Sequence, residues 1–335
     1  MTSNWLIRPL GSTENSEDRF FDTPYGEFRD QLRDHDIVAH TYDMGQLAEA
    51  EKVVSFNHDS HFIRLCKKQG VTPDRLVLVS LEPQAVLPQQ YGHRVLAQYS
   101  TVFIVRDDLV DDLKLFKTRY IQGQGIPRYV PEFTDRGYLS LINAHKYSYV
   151  RHELYSLRRQ AIRHFEATDG FDLYGYGWGK PHRFTNRSDI REAARYGTIG
   201  RFVRDVADSK RPFPAFRGPV DDKYATLARY KYSLCFENEM SPGYITEKLF
   251  DCLVCGTVPV YLGAPNITDY VPEECFIDMR NFADFDDLDA FLRGQPQAMW
   301  DAFSRAGRDW VGGPAFHNWR PPRVYADMLR DLGVK

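Results

Sequence analysis

The segment 230–263 constrains the fold more than any other part of this 335-residue chain. Apolar side chains alternate with polar ones over Tyr230–Phe236, which is the period of a β-strand. They recur at helical spacing over Leu249–Val254, and Gly256 is placed to end that helix. A second β-rich run follows at Val258–Leu262. The segment therefore predicts two parallel strands joined through a helix by a right-handed crossover.

Polar and charged residues collect in the loop and first helical turn that follow the first of these strands. They are Glu237, Asn238, Tyr244, Glu247 and Lys248. In open parallel sheets, ligands bind beyond the carboxyl ends of the strands, and this loop lies at such an end. A lysine and free backbone amides at a helix N-terminus suit a phosphate group. The sequence therefore predicts that this loop binds a phosphate-containing ligand.

Three sub-motifs of the segment also resemble a known signature. Phe-Glu-Asn at 236–238, Gly-Tyr-Ile-Thr-Glu-Lys at 243–248 and Gly-Thr-Val-Pro-Val-Tyr-Leu-Gly at 256–263 have the order and spacing typical of glycosyltransferase family 10, the α1,3/α1,4-fucosyltransferases. A weaker similarity extends over 76–292. The resemblance implies an α/β fold of GT-B architecture, in which two Rossmann-like domains with parallel sheets face each other across a cleft. It also implies GDP-fucose as the donor.

Alternating strand and helix patterns along the chain predict two domains. Strand patterns occupy Asp36–Tyr42, Leu76–Leu81, Thr101–Val105 and Tyr138–Asn143, and another strand pattern runs into a glycine-rich turn over Phe171–Gly179. Helical patterns occupy Met44–Val53, His61–Lys68 and Tyr149–Phe165. We assign residues 1–140 to an N-terminal domain, 141–310 to a C-terminal domain and 311–335 to a C-terminal helix that docks on the body. By the resemblance, the first domain binds the acceptor and the second binds the nucleotide sugar.

Glu82 is the candidate general base. It follows the strand pattern that ends at Leu81 and precedes Pro83, in a context similar to the family segment whose glutamate is proposed as the base. Inverting transfer needs a carboxylate to take the proton of the acceptor hydroxyl as its oxygen attacks the anomeric carbon. A solvated loop role for Glu82 is the alternative, with another acidic residue such as Glu132 then serving as the base.

Two cations are candidates for stabilising the departing diphosphate. Arg158 precedes Tyr174 by sixteen residues, a spacing similar to that of the family's donor-binding arginine, and Lys248 stands at the helix start. A guanidinium can bind a pyrophosphate through two parallel hydrogen bonds, and preorganised cations stabilise leaving-group charge. The adjacent Arg159 could exchange roles with Arg158.

The resemblance assigns the remaining donor contacts. Asn238 and Tyr244 match donor-contacting residues of the family. Glu247 would repel a phosphate, so we expect it to bind a hydroxyl of the donor ribose or fucose. Glu237 either contacts the donor or braces the loop.

One donor tyrosine of the family has no counterpart here. The family spacing leads to Phe216–Gly218, which offers no hydroxyl, so Arg217 or Tyr224 would have to replace it. Because arginine and lysine can neutralise the leaving group, the reaction requires no cofactor, and a divalent metal would at most stimulate it.

Three patterns superficially suggest a metal or redox site. Asp284–Asp286 has Asp-x-Asp spacing, but it is better explained as the cap of a helix. His58 and His61 lack a third ligand. Cys252 and Cys255 have no second pair or nearby histidine, and we expect them to be buried core residues.

Composition narrows the remaining function classes. A net charge of −3 argues against a nucleic-acid partner, and five scattered cysteines favour a reducing compartment. The sequence has no signal peptide and no apolar run of about 18 residues that could cross a membrane. Animal members of the family that the motifs resemble have an N-terminal membrane anchor, so by this resemblance we expect a bacterial-type cytoplasmic enzyme. The tail 321–332 would dock on the body, or else contact the inner membrane peripherally.

The predicted reaction is inverting transfer of L-fucose from GDP-fucose to an oligosaccharide acceptor that contains N-acetylglucosamine or glucose, with an α1,3 linkage favoured over α1,4. Two alternatives remain open. The chain could use another nucleotide sugar, since the same loop would serve any diphosphate, or it could be an inactive sugar-binding protein.

Overall fold

A computed structural model describes residues 3–10, 25–123, 130–180, 184 and 187–334. The chain forms two compact units. The first comprises Met1–Gly123, Pro242–Tyr244 and His317–Lys335, and the second comprises Gln124–Ser241 and Ile245–Phe316. Each unit contains a six-stranded sheet in which the paired strands are parallel. The predicted α/β class is confirmed.

Strands and helices alternate through most of the described residues. In chain order the strands are β1 Ser3–Arg8, β2 Ile37–Thr41, β3 Lys52–Phe56, β4 Leu76–Ser80, β5 Thr101–Ile104, β6 Leu115–Lys117, β7 Gly137–Ile142, β8 Phe171–Tyr174, β9 Phe216–Gly218, β10 Tyr230–Phe236, β11 Val258–Leu262 and β12 Ile277–Asp278. The α-helices are α1 Gly26–Asp34, α2 Ser60–Lys68, α3 His93–Leu96, α4 Tyr155–Phe165, α5 Arg187–Arg195, α6 Ile199–Asp208, α7 Lys223–Leu227, α8 Glu247–Val254, α9 Phe285–Gly294, α10 Gln297–Gly312 and α11 Pro321–Asp331. Short 3-10 turns, such as Pro88–Tyr91, lie between them. None of the helices within the described ranges is long and apolar enough to span a membrane.

The sheet of the first unit has the order β2-β1-β3-β4-β5-β6. All five residues of β4 are buried, because side chains from both of its faces enter apolar clusters. Helix α11 covers one face: the Tyr325 ring packs at a tilt against Phe28 of α1, with ring centroids 4.9 Å apart. Val324, Met328 and Leu329 are buried with it. The apolar face of α11 is therefore occupied by the first unit's own core.

The sheet of the second unit has the order β12-β11-β10-β7-β8-β9. Strand β10 pairs with β7 on one side and with β11 on the other. Helix α8 connects β10 to β11 and ends before Gly256, whose φ of +63° is left-handed. The strand–helix–strand order and the parallel pairing predicted from the sequence are therefore confirmed.

Some sequence predictions are wrong or displaced. The predicted helix at Met44–Val53 is absent; a short turn at 47–49 and irregular backbone lie there instead, and β3 begins at Lys52. Strand β3 is a short run buried on both faces, which periodicity alone does not separate from a helix. Helix α4 begins at Tyr155 rather than Tyr149. The division between units falls after Gly123, ahead of the predicted residue 140, because β7 already pairs within the second sheet.

The motif loop contributes three residues to the first unit. The Asp107 N–H donates to the Pro242 carbonyl (3.0 Å), and Lys117 Nζ donates to the Gly243 carbonyl (3.2 Å). Tyr244 is buried in the first unit's apolar core. Gly243 has a φ of +70°, and a Cβ there would collide with the Asp107 carboxylate. Only glycine fits this point of the motif without rearrangement.

We predict that Gly243→Ala destabilises the protein by about 2–4 kcal/mol, since the left-handed strain adds to an overpacking cost. Gly70→Ala is the matched control: Gly70 also has a positive φ (+79°), but nothing lies within 4 Å of its added Cβ. The control should lose only about 1 kcal/mol. Urea unfolding monitored by tryptophan fluorescence measures both variants. Equal losses would contradict the packing account of Gly243.

Candidate active site

The candidate site lies at the topological switch point of the second sheet. From β7 the chain adds β8 and β9 toward one edge, and then returns to β10 on the other side of β7. Strand order therefore reverses between β7 and β10. Ligands of open parallel sheets bind in the crevice beyond the carboxyl ends of such a strand pair. The residues that follow these two strands are Asn143 and the motif residues Glu237 and Asn238.

Glu237 fastens the carboxyl end of β10 to the start of α8. Its side chain is completely buried. Oε1 accepts a hydrogen bond from the Thr246 N–H (2.7 Å), and Oε2 accepts one from Thr246 Oγ1 (2.8 Å). Lys248 Nζ lies 3.1 Å from the same Oε2 and 2.9 Å from Thr246 Oγ1. These contacts support the bracing role foreseen for Glu237, and they fix the position of Lys248 at the helix N-terminus.

Glu247 lies between two ammonium groups. Its Oε1 is 3.6 Å from Lys248 Nζ and 3.9 Å from Lys223 Nζ, and its side chain is 36% exposed. Burial acts to raise the pKa of Glu247, but the two lysines outweigh it and lower the pKa to about 2. The carboxylate is therefore ionised at neutral pH and can only accept hydrogen bonds. Such a group suits the hydroxyls of a sugar.

Sequence analysis missed two members of this cluster. Lys223 Nζ forms an ion pair with Asp251 Oδ2 at 2.7 Å. Burial acts to lower the pKa of Lys223, but Glu247 and Asp251 together raise it. Burial raises the pKa of Asp251 against the opposing effect of Lys223. Asp251 stands four residues after Glu247, so both lie on one face of α8. In the sequence, this spacing of two acids on a predicted helix was the pattern that could have pointed to Asp251.

Tyr224 joins the same cluster through a hydrogen bond with Asp251. Burial, and next the charge of the Asp251 carboxylate, raise the pKa of Tyr224 to about 12. Arg217 instead pairs with Asp172 at 2.5 Å on the β8–β9 side of the sheet. Of the two replacements considered for the missing tyrosine, the structure brings only Tyr224 to the cluster.

A small, partly open space of about 10 Å³, roughly one water molecule, lies beside these ions. Its lining includes Asn143 at the end of β7, Phe236 at the end of β10, and both Lys223 and Lys248. The two lysines therefore meet the carboxyl ends of the strands that define the switch point.

Arg158 and Asn238 are brought together at the end of β10. The Arg158 side chain is buried, and its guanidinium donates to the Phe236 carbonyl from Nε (3.0 Å) and to Asn238 Oδ1 from Nη2 (2.9 Å). The Asn238 carbonyl accepts from the Leu154 N–H (3.0 Å). Arg158 thus orders the loop that carries the motif.

Arg159 has a separate environment. Its Nη2 pairs with Asp205 Oδ1 at 2.8 Å, and Nη1 donates to the Lys146 carbonyl at 2.9 Å. Its guanidinium lies over the Tyr147 ring, 3.9 Å from the centroid. These contacts favour Arg158 over Arg159 as the arginine associated with the motif loop.

Two predicted site residues lie in the first unit. Tyr244 is in its core, as described above. Glu82 follows β4 at the carboxyl edge of the first sheet and is half-buried. Burial raises the pKa of the nearby Tyr25 phenol, and the charge of Glu82 raises it further. The alternative base, Glu132, is exposed and belongs to the second unit, beside the 3-10 turn Phe133–Asp135.

The residues of the apparent metal and redox motifs have capping and packing roles in the fold. Asp284 caps α9 by accepting from the Asp287 N–H (2.9 Å), as predicted. The His58 ring contacts Tyr99 and Ser60. Cys252 is buried, with its Sγ 3.2 Å from that of Cys235. Over the described part of the chain, no three potential ligands cluster as a metal site.

Comparison with known proteins agrees with this location. The family model "Glycosyltransferase family 10 (fucosyltransferase) C-term" matches residues 196–298, which contain α8, its ion cluster and the motif loop. Residues 196–298 are a glycosyltransferase family 10 domain. The remainder of the second unit, outside the matched residues, contains β7, β8 and Arg158.

Sequence relatives match only part of the chain. An α-(1,4)-fucosyltransferase of Arabidopsis thaliana is 35% identical over 100 residues, which cover 30% of this chain and 22% of that protein. Human α-(1,3)-fucosyltransferase 7 is 40% identical over 98 residues, covering 28% of each. The matched region therefore spans only about a quarter of either relative.

The fold match extends over the whole chain. A crystal structure of an α1,3-fucosyltransferase aligns with a TM-score of 0.59 over 99% of this chain and 90% of that chain, at 12% sequence identity. At that identity the likeness establishes the fold alone. The GT-B fold class predicted from the resemblance is thereby confirmed.

We predict an acid-dependent loss of stability that depends on Glu247. Its folded-state pKa of about 2 lies below the ordinary 4.5, so the folded protein binds fewer protons than the unfolded chain between these values. The stabilising contribution is complete above about pH 4.5 and is lost as the pH falls toward 2. Urea midpoints measured from pH 5 down to pH 3 should fall less steeply in Glu247→Gln than in the wild type.

The exposed Glu274 provides a matched control for removal of one carboxylate. Glu274→Gln should keep the wild-type slope of urea midpoint against pH. A wild-type slope in Glu247→Gln would show that the lysines do not stabilise the ionised form of Glu247 in the folded protein.

Proposed function

We propose that the chain is an inverting fucosyltransferase that moves L-fucose from GDP-β-L-fucose to a hydroxyl of an N-acetylglucosamine or glucose unit in a glycan. The observation that carries the proposal is the position of the family 10 motif: its ions surround the N-terminus of α8 at the switch point of a parallel sheet. That is where such folds bind nucleotides.

Charge balance explains how this site could favour a diphosphate. Lys223, Lys248 and Arg158 supply three cations, and the carboxylates of Glu237, Glu247 and Asp251 balance them. The amides at the N-terminus of α8 then provide the net positive partial charge. As charge develops on the leaving GDP, preorganised Lys248 and these amides would stabilise it without further reorganisation.

The neighbouring polar groups would orient the donor. Glu247, as an ionised acceptor, would bind hydroxyls of the ribose or fucose, and Asn238 would donate its amide to the donor. Arg158 would act on the donor through Asn238 or directly on the diphosphate. Tyr244 stays a predicted donor contact by resemblance.

Glu82 would be the general base. Its carboxylate takes the proton from the acceptor hydroxyl as that oxygen forms a bond to the anomeric carbon. The bond between that carbon and the β-phosphate oxygen breaks, and its electrons leave with GDP. Attack opposite the departing group inverts the anomeric centre. The half-buried setting of Glu82 is compatible with a base that is shielded from bulk water.

A direct test follows GDP release from GDP-fucose with lactose, N-acetyllactosamine, its β1,3-linked isomer or water, with and without EDTA. Release that depends on one disaccharide supports the proposal, and the product linkage distinguishes α1,3 from α1,4. Turnover with a UDP- or TDP-sugar instead would assign a different donor. Absence of turnover with every donor, together with no thermal shift from GDP, would indicate an inactive protein.

We predict that Glu82→Gln lowers kcat by about 100- to 10,000-fold, because the amide cannot accept the proton. The KM for GDP-fucose and the thermal shift produced by GDP should change little. Glu132→Gln is the control and should keep wild-type turnover. Wild-type turnover in Glu82→Gln would exclude Glu82 as the base.

A further inference from the structure

The further inference concerns how Glu82 is held, and it rests on the proposed role of Glu82 as the base. Glu82 lies beyond the last residue of β4, in a loop with no β-ladder to fix it. A base must nevertheless stay within hydrogen-bond reach of the acceptor hydroxyl. Two buried amide side chains from other parts of the first unit bind the main chain of Glu82.

Asn57 binds the amide side of Glu82. Its Oδ1 accepts hydrogen bonds from the Leu81 N–H (3.0 Å) and the Glu82 N–H (3.2 Å). Asn57 itself is fixed, since its N–H donates to the Val79 carbonyl at 2.8 Å and its carbonyl accepts from Ser55 Oγ at 2.8 Å. It is 7% exposed and has a left-handed φ of +59°.

The left-handed backbone of Asn57 has a consequence for its side chain. Few non-glycine residues adopt this conformation, and asparagine is among those that tolerate it best. Asn57 directly follows β3, whose neighbour in the sheet is β4. The turn at Asn57 therefore directs the Asn57 side chain to the carboxyl end of β4, which a residue within regular β3 would not reach.

Gln90 binds the carbonyl side of Glu82. Its Nε2 donates to the Glu82 carbonyl (2.5 Å), and its Oε1 accepts from the His58 N–H (3.2 Å). Tyr91 donates to the same carbonyl through its hydroxyl (2.7 Å). Gln90 is 1% exposed. Because His58 follows Asn57 in the chain, these bonds close a ring that runs from Asn57 through Glu82 and Gln90 back to the same loop.

We propose that Asn57 and Gln90 are positioning residues that hold the Glu82 main chain from both sides and so aim its carboxylate. Every bond of the ring uses a buried polar group with a fixed partner, which makes the arrangement rigid. Small displacements of a catalytic group can lower a rate by about 100-fold. The ring fixes the main chain of Glu82, so that only the side-chain torsions of Glu82 can move its carboxylate.

The kinetic test uses Asn57→Gly, which keeps the left-handed backbone and removes the acceptor oxygen. We expect kcat to fall about 10- to 100-fold with the KM for GDP-fucose unchanged. Asn57→Asp keeps an acceptor oxygen and should recover most of this loss. Asp36→Gly replaces another left-handed residue (φ +60°), at the amino end of β2, and should retain wild-type turnover.

A double-mutant comparison separates positioning from general loosening of the fold. In a Glu82→Gln background, Asn57→Gly should cause little further loss of kcat, because a residue that acts through Glu82 has nothing left to position. An equal fold-loss in both backgrounds would overturn the inference and leave Glu82 as the base. Wild-type turnover in Glu82→Gln would instead overturn the assignment of the base.

A second measurement does not depend on activity. Hydrogen–deuterium exchange of a peptide that covers Leu81 and Glu82 should accelerate in Asn57→Gly and in Gln90→Met, while Asp36→Gly keeps the wild-type rate. Unchanged exchange in both variants would show that these amides do not hold the Glu82 main chain, whatever reaction the protein catalyses.

Discussion

The buried carboxylate of Glu237 is the interaction on which the candidate active site depends. It joins the end of β10 to the first turn of α8 through Thr246, and it faces Lys248 at 3.1 Å. Removing one partner of a buried pair leaves the other charge unpaired, at a cost of about 3–5 kcal/mol. The strand end, the helix start and the cation are therefore fixed relative to one another before any ligand binds.

This arrangement gives two carboxylates of one motif different environments. Glu237 is fully buried and structural, whereas Glu247 is partly exposed and kept ionised by two lysines. Lys248 contacts both carboxylates, and these contacts orient it at the helix N-terminus. In the proposed reaction, a site built in this way would stabilise the departing diphosphate by placement rather than by excess positive charge.

The secondary structure around the motif could be predicted from the sequence. Periodicity and Gly256 located β10, α8 and β11, because each is specified by its own side chains. The ion pair of Lys223 with Asp251 and the amide bonds of Asn57 and Gln90 to Glu82 join residues from separate elements. Such contacts depend on how the sheet orders its strands, which no local pattern specifies. Strand β3 was missed because a short run buried on both faces has no alternation to detect.

The most direct test of the central claim is titration calorimetry of GDP and UDP against the full chain in EDTA, with Lys248→Met alongside. We predict saturable one-to-one binding of GDP and weaker binding of UDP. We also predict a loss of at least about tenfold in GDP affinity in Lys248→Met, in line with a charge-assisted hydrogen bond worth about 1.5–3 kcal/mol. Equal GDP affinity in the wild type and Lys248→Met would contradict the claim that the N-terminus of α8 binds the diphosphate.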